Sequence, residues 1–187
     1  EGADVIDVGG VKAGPGSVVD AEEDIARVVP FIEWLRDTYP DQLISVDTWR
    51  ASVAKQACAA GADLINDTWA GHDPELPAVA AEFNAGLVCS HTGGAAPRTR
   101  PFRVNYGITE RAVVDDVIAE VTAAAERAVA AGVPRDAILI DPTHDFGKNT
   151  HHGLTLLRHV EDLVNTGWPV LMALSNKDFG GEALGVV

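Results

Sequence analysis

Residues 138–149 read "ILIDPTHDFGKN". Three branched apolar residues, Ile138, Leu139 and Ile140, suit a strand buried on both faces. The run stops on Asp141 and Pro142, then passes through His144 and Asp145 to Gly147 and Lys148. A carboxylate at the end of a buried strand needs a donor, because an unpaired charge is costly to bury. The same switch from apolar to polar recurs in "DVIDVGG", "LISVDTW", "DLINDTW", "LVCSHTGG" and "VLMALSNKD".

Between these runs lie segments of helical period. In "DAEEDIARVVPFIEWLRDTY", Ile25, Val28, Val29, Ile32 and Leu35 fall on one helix face, with acids in the first turn. "RASVAKQACAAGA" predicts a short helix stopped by Gly61, "ERAVVDDVIAEVTAAAERAVAAGV" a long one stopped by Gly132, and "HGLTLLRHVEDLVNTG" one more stopped by Gly167. A shorter helix is expected over 76–83 and a long loop over 93–107. Six strands alternating with helices imply a parallel sheet with right-handed crossovers.

An open doubly wound sheet and a closed (β/α)8 barrel both fit that alternation. In the open sheet the polar residues gather at one switch point, whereas in a barrel every strand end opens onto one mouth. Asp7, Asp47, Asn66, His91, Asp141 and Lys177 follow all six apolar runs, which favours a TIM barrel. Six strands are too few to close one, so the first and last βα units are expected to be missing. The start on "EGADVIDVGG" without methionine and the stop on "ALGVV" agree with a piece of a longer chain. The whole of 1–187 reads as one domain, strands two to seven of eight.

Composition narrows the partners. With 28 acidic against 14 basic side chains the net charge is −14, which argues against nucleic acid and anionic membranes. No apolar run approaches the roughly 18 residues of a membrane span. Cys58 and Cys89 are expected to be buried free thiols in a reducing, cytoplasmic compartment.

In order, "GADVIDVGG…GPG", "ISVDTWR", "GADLINDTW", "CSHT", "ILIDP…FGK" and "ALSNKDFGGE" resemble the strand-end motifs of dihydropteroate synthases, barrel transferases that join a pterin pyrophosphate to p-aminobenzoate in folate biosynthesis. The pattern is most like the divergent second paralogue of some bacteria. The resemblance implies that Asp47, Asn66 and Asp141 bind the pterin. It implies that Lys177 contacts both the pterin and the aminobenzoate, that His91 lies near the diphosphate, and that Phe146 and Lys148 match the family's "GFGK" segment, with Phe146 on the aminobenzoate and diphosphate side. Lys177 and His91 are the implied catalytic pair. Mg2+ on the diphosphate and a homodimer are implied as well.

Departures from the pattern fall on the aminobenzoate and diphosphate side. In the first loop, "GGVKAGPG" has Ala13 and Gly14 where the family has threonine and arginine, ahead of Pro15, and leaves Lys12 as its one cation. Thr143 and Asp145 replace two glycines, Asn176 replaces an arginine, and Asp178 replaces a small hydroxyl residue. Asp178 is expected to cap the last helix, where the aminobenzoate carboxylate would otherwise sit. A paralogue with reduced or lost condensation that still binds a pterin fits best. Alternatives are a working dihydropteroate synthase, a folate-dependent methyltransferase domain, and a metal-dependent barrel hydrolase using Asp7, His91, Asp141 and His144. The "THHG" stretch at 150–153 reads as an exposed helix start.

Overall fold

The computed structural model describes residues 2–99, 104–175 and 177–185. Five strands form one parallel sheet: β1 (Val5–Gly9), β2 (Leu43–Asp47), β3 (Leu64–Asp67), β4 (Gly86–Cys89) and β5 (Ile138–Ile140). Each lies beside its neighbours in the chain, in the order β1-β2-β3-β4-β5. A doubly wound sheet reverses direction at its switch point, whereas this order never reverses, so the sheet is the arc of a (β/α)8 barrel.

The sixth expected strand is reduced. Val170 makes one parallel bridge to Ile140, with Ile140 N–H donating to Pro169 O and Leu171 N–H to Ile140 O, both at 2.9 Å. The cause is local: β5 has only three residues before Pro142 turns the chain away, and Pro169 has no N–H to extend the ladder.

The crossovers are α1 (Ala21–Thr38), α2 (Ala51–Ala59), α3 (Leu76–Phe83) and α4 (Ala112–Ala130), followed by α5 (Thr150–Arg158), α6 (Val160–Val164) and α7 (Asp178–Leu184). Asp20 caps α1 by accepting from Glu23 N–H, and its buried stripe is Asp24, Val28, Ile32 and Leu35. The single helix expected from His152 to its stop at Gly167 is two, because the backbone breaks at His159, whose ring meets Asp162 at 3.2 Å. None of the described helices is long and apolar enough to cross a membrane.

The core lies between sheet and helices. Val8, Ile44, Val46, Ile65, Leu87 and Ile140 pack outward against Val28, Ile32, Val53, Val117 and Val121. Alternation along the strands therefore turns Asp7, Asp47 and Asn66 to the opposite, inner face. Cys58 and Cys89 are buried free thiols, as expected.

One arginine ties the end of the barrel where the strands begin. Arg36 donates to the carbonyls of Pro40, Gln42 and Gly61 and to the Asp63 carboxylate, which also accepts from Ile44 N–H. It thereby joins the turn after α1 to the turn after α2.

Candidate functional site

The polar tips of the strands share one mouth. Register sets Asp47 beside Asn66 on neighbouring strands, and Asn66 reaches across β2 so that its Nδ2 donates to Asp7 Oδ2 at 3.0 Å. Thr68 donates its hydroxyl to Asp47 Oδ1 at 2.9 Å. Burial, and then the charge of Asp7, push the Asp47 carboxyl up to about 7, while Thr68 and Lys177 pull the other way. Asp141, at the end of β5, is buried and accepts from Thr143 N–H at 2.7 Å. Burial raises it to about 6 against the opposing pull of that amide, Lys148 and Lys177. Lys177 comes from the loop before α7 and lies 5.0 Å from the Phe146 ring centroid, and Phe146 meets Trp69 edge-on at 5.0 Å.

Asp7, Asp47, Asn66, Asp141, Phe146 and Lys177 are thus brought together, and His91 is not. Its ring is buried and turned to α4, with Nε2 on Asp116 at 2.8 Å and Tyr106 beside it. Burial and Lys148 hold it down at about 4, which leaves a neutral imidazole. Lys12 is exposed on the β1–α1 loop beside Ala13, Gly14 and Pro15. Asn176 lies outside the described residues. Among those residues no group of three His, Cys, Asp or Glu side chains is placed to hold a metal.

The β5–α5 loop departs most from expectation. Thr143 and Asp145 keep left-handed backbone, with φ of 51° and 70°, a conformation costing non-glycine residues of order 1 kcal/mol. Their side chains offset that cost. The Thr143 hydroxyl accepts from His91 N–H and donates to Asp141 O. Asp145 accepts from the N–H groups of Asp178 (2.5 Å) and Phe179 (3.4 Å) at the start of α7.

This corrects the role expected of Asp178. As the first residue of α7 it is exposed, and the free amides are met by a carboxylate from another loop. A side chain at the first helical position projects away from those amides, so a cap comes from outside the helix.

Lys148 is buried to 1% exposure. Its Nζ donates to the carbonyls of His91 (2.8 Å), Phe146 (2.9 Å) and Thr143 (3.2 Å), one acceptor for each ammonium N–H. Burial draws it down to about 7 against the attraction of Asp141, Asp116 and Asp145. Sequence reasoning misses Thr68, Trp69, Asp116 and the capping by Asp145. Only Asp145 leaves a trace in the sequence, as a charge in a glycine position.

Three acceptors remain unspent at the mouth. Asn66 Oδ1 is buried without a hydrogen-bond partner. Among the described residues, Oδ2 of Asp47 and Oδ2 of Asp141 accept no hydrogen bond either. Such acceptors call for donors from outside the protein.

Comparison with known proteins agrees with this geometry. Residues 1–186 match the model of a family described as "pterin binding enzyme". The chain is 78% identical over 186 residues to a Mycobacterium tuberculosis protein called "Inactive dihydropteroate synthase 2", covering all of this chain and 58% of that one. A solved dihydropteroate synthase of Anaplasma phagocytophilum with bound 6-hydroxymethylpterin-monophosphate superposes with a TM-score of 0.91 at 28% identity, over 99% of this chain and 72% of that one. The Thermus thermophilus enzyme in complex with 4-aminobenzoate superposes with a TM-score of 0.86 at 35% identity, over 99% of this chain and 68% of that one. The sheet order, the inward carboxylates and these matches converge: the chain belongs to the pterin-binding enzyme family, within its dihydropteroate-synthase-like branch.

Proposed function

We propose that this chain is the barrel of a dihydropteroate-synthase-like protein that holds a pterin in its mouth and condenses it with p-aminobenzoate weakly or not at all. The observation that carries the reading is the trio of unspent acceptors on Asp47, Asn66 and Asp141. A pterin presents ring and amino N–H groups along one flat edge, and a carboxylate can accept two of them side by side. Lys177 and Phe146 close the other side of such a ligand.

Asp145 is what argues against a working synthase. The resemblance sets the aminobenzoate carboxylate against the start of α7, and there Asp145 already holds both amides. A second carboxylate would lose those donors and meet a like charge. The name of the 78% identical relative is consistent with lost activity. Magnesium would be carried by the ligand's phosphates, since the described residues build no cage for it. A homodimer is proposed from the resemblance alone.

The test is calorimetry of the full-length protein with a pterin pyrophosphate, followed by p-aminobenzoate and an assay for pteroate. Pterin binding with little or no second binding and little product is expected. No pterin binding, or robust turnover, would overturn the reading.

A further inference from the structure

The loop between β1 and α1, residues 10–20, contains no regular structure, and arginines from three places hold its backbone. Arg27 of α1 donates to Gly10 O at 2.7 Å and Arg50, ahead of α2, to Val19 O at 2.7 Å. Both are local fastenings at the ends of the loop. The middle is held from the far side of the mouth: Arg98, in the β4–α4 loop, donates through Nε to Gly14 O at 3.1 Å and through Nη1 to Ser17 O at 2.6 Å. Two strands, β2 and β3, lie between β1 and β4, so this contact spans the opening.

Three features mark the contact as built. Arg98 holds a left-handed backbone, φ 64°, which a non-glycine residue adopts at a cost. Gly16 makes room for it, because a Cβ there would stand 2.7 Å from Nη2. No described carboxylate forms an ion pair with Arg98, so its planar fork is committed to the two carbonyls. Gly14, whose carbonyl it grips, is also the position where the family pattern has an arginine within the loop itself.

We propose that Arg98 is a positioning residue, a latch that draws the middle of the β1–α1 loop towards the β4–α4 loop and sets how far the mouth opens on that side. Lys12 rides on the same loop, its Cε within 3.6 Å of where a Cβ of residue 14 would stand, so the latch also fixes where that cation is presented.

The test is hydrogen–deuterium exchange on the ligand-free full-length protein, whose outcome does not depend on whether a pterin binds. In Arg98→Ala, amides of residues 13–18 are expected to exchange at least tenfold faster, while peptides from α1 and the melting temperature stay unchanged. Arg98→Lys, with a point charge instead of a fork, should fall between. Gly16→Ala keeps the arginine but crowds its Nη2, and it should loosen the same amides. Unchanged exchange over 13–18 in both Arg98→Ala and Gly16→Ala overturns the proposal, as does a uniform rise across the chain, which would make Arg98 a general structural residue.

Discussion

Near neutral pH the Asp47 carboxyl is half titrated, since burial and the charge of Asp7 push it up to about 7. The sign of the linkage follows directly. Between about pH 4 and 7 the folded chain holds a proton that the unfolded chain has released, so this group's contribution to stability is full below pH 4 and is lost as pH rises to 7. A ligand that donates to Asp47 favours the carboxylate and has the opposite slope. Pterin affinity is expected to rise roughly tenfold between pH 6 and pH 7.5 as the ionised fraction grows, with a proton released on binding, and to change only about twofold in Asp47→Asn, where Asp141, at about 6, still titrates. Isothermal titration in buffers of different ionisation enthalpy reads both effects, and a wild-type affinity independent of pH would refute the contact. Asp141 is the stronger test of position. A charge-assisted bond contributes about 1.5–3 kcal/mol, so Asp141→Asn should weaken pterin binding at least tenfold.

The β5–α5 loop acts as a unit, and two substitutions probe it from either side. Asp145→Gly relieves the left-handed strain and frees the amides of Asp178 and Phe179. It should lower stability by about 1 kcal/mol, because two bonds to a charged group outweigh the strain. The same variant should bind p-aminobenzoate at least tenfold more tightly than wild type, and equal affinity would show that Asp145 does not compete for the site. Lys148→Met deprives the carbonyls of His91, Thr143 and Phe146 of their donor. A loss on the order of 3 kcal/mol in urea unfolding is expected. This loop also marks the limit of what sequence conveys. The apolar runs, the glycine stops and the inward Asp47, Asn66 and Asp141 are readable because period and strand alternation are local properties. The substitutions at Thr143 and Asp145 are visible too, but that both keep a glycine's backbone, and that Asp145 reaches α7 across 33 residues, depends on tertiary contacts. The surroundings of His91 are hidden for the same reason: a polar residue after a strand can turn either way, and its partner Asp116 lies on a helix 25 residues on.

At the scale of the whole molecule, unbroken strand order distinguishes barrel from open sheet, and the polar tips anticipate it because a barrel alone brings every strand end to one rim. The count of six strands errs only where β5 is too short to carry a full neighbour. The opposite end of the barrel has its own organiser in Arg36, whose guanidinium serves two turns at once. Arg36→Ala should cost on the order of 3 kcal/mol, lowering the melting temperature by about 6–12 °C, with pterin affinity unchanged by titration; a loss of affinity would mean that the two ends communicate. Among the described residues, Arg36 and the mouth share no hydrogen bond, and they stand at opposite ends of the strands. Substitutions that accumulate among the loops of the mouth, as at Gly14, Thr143 and Asp145, therefore leave the anchorage of the scaffold untouched. A lineage can rework the loops around its mouth without first securing a new fold, and the barrel can outlast such changes.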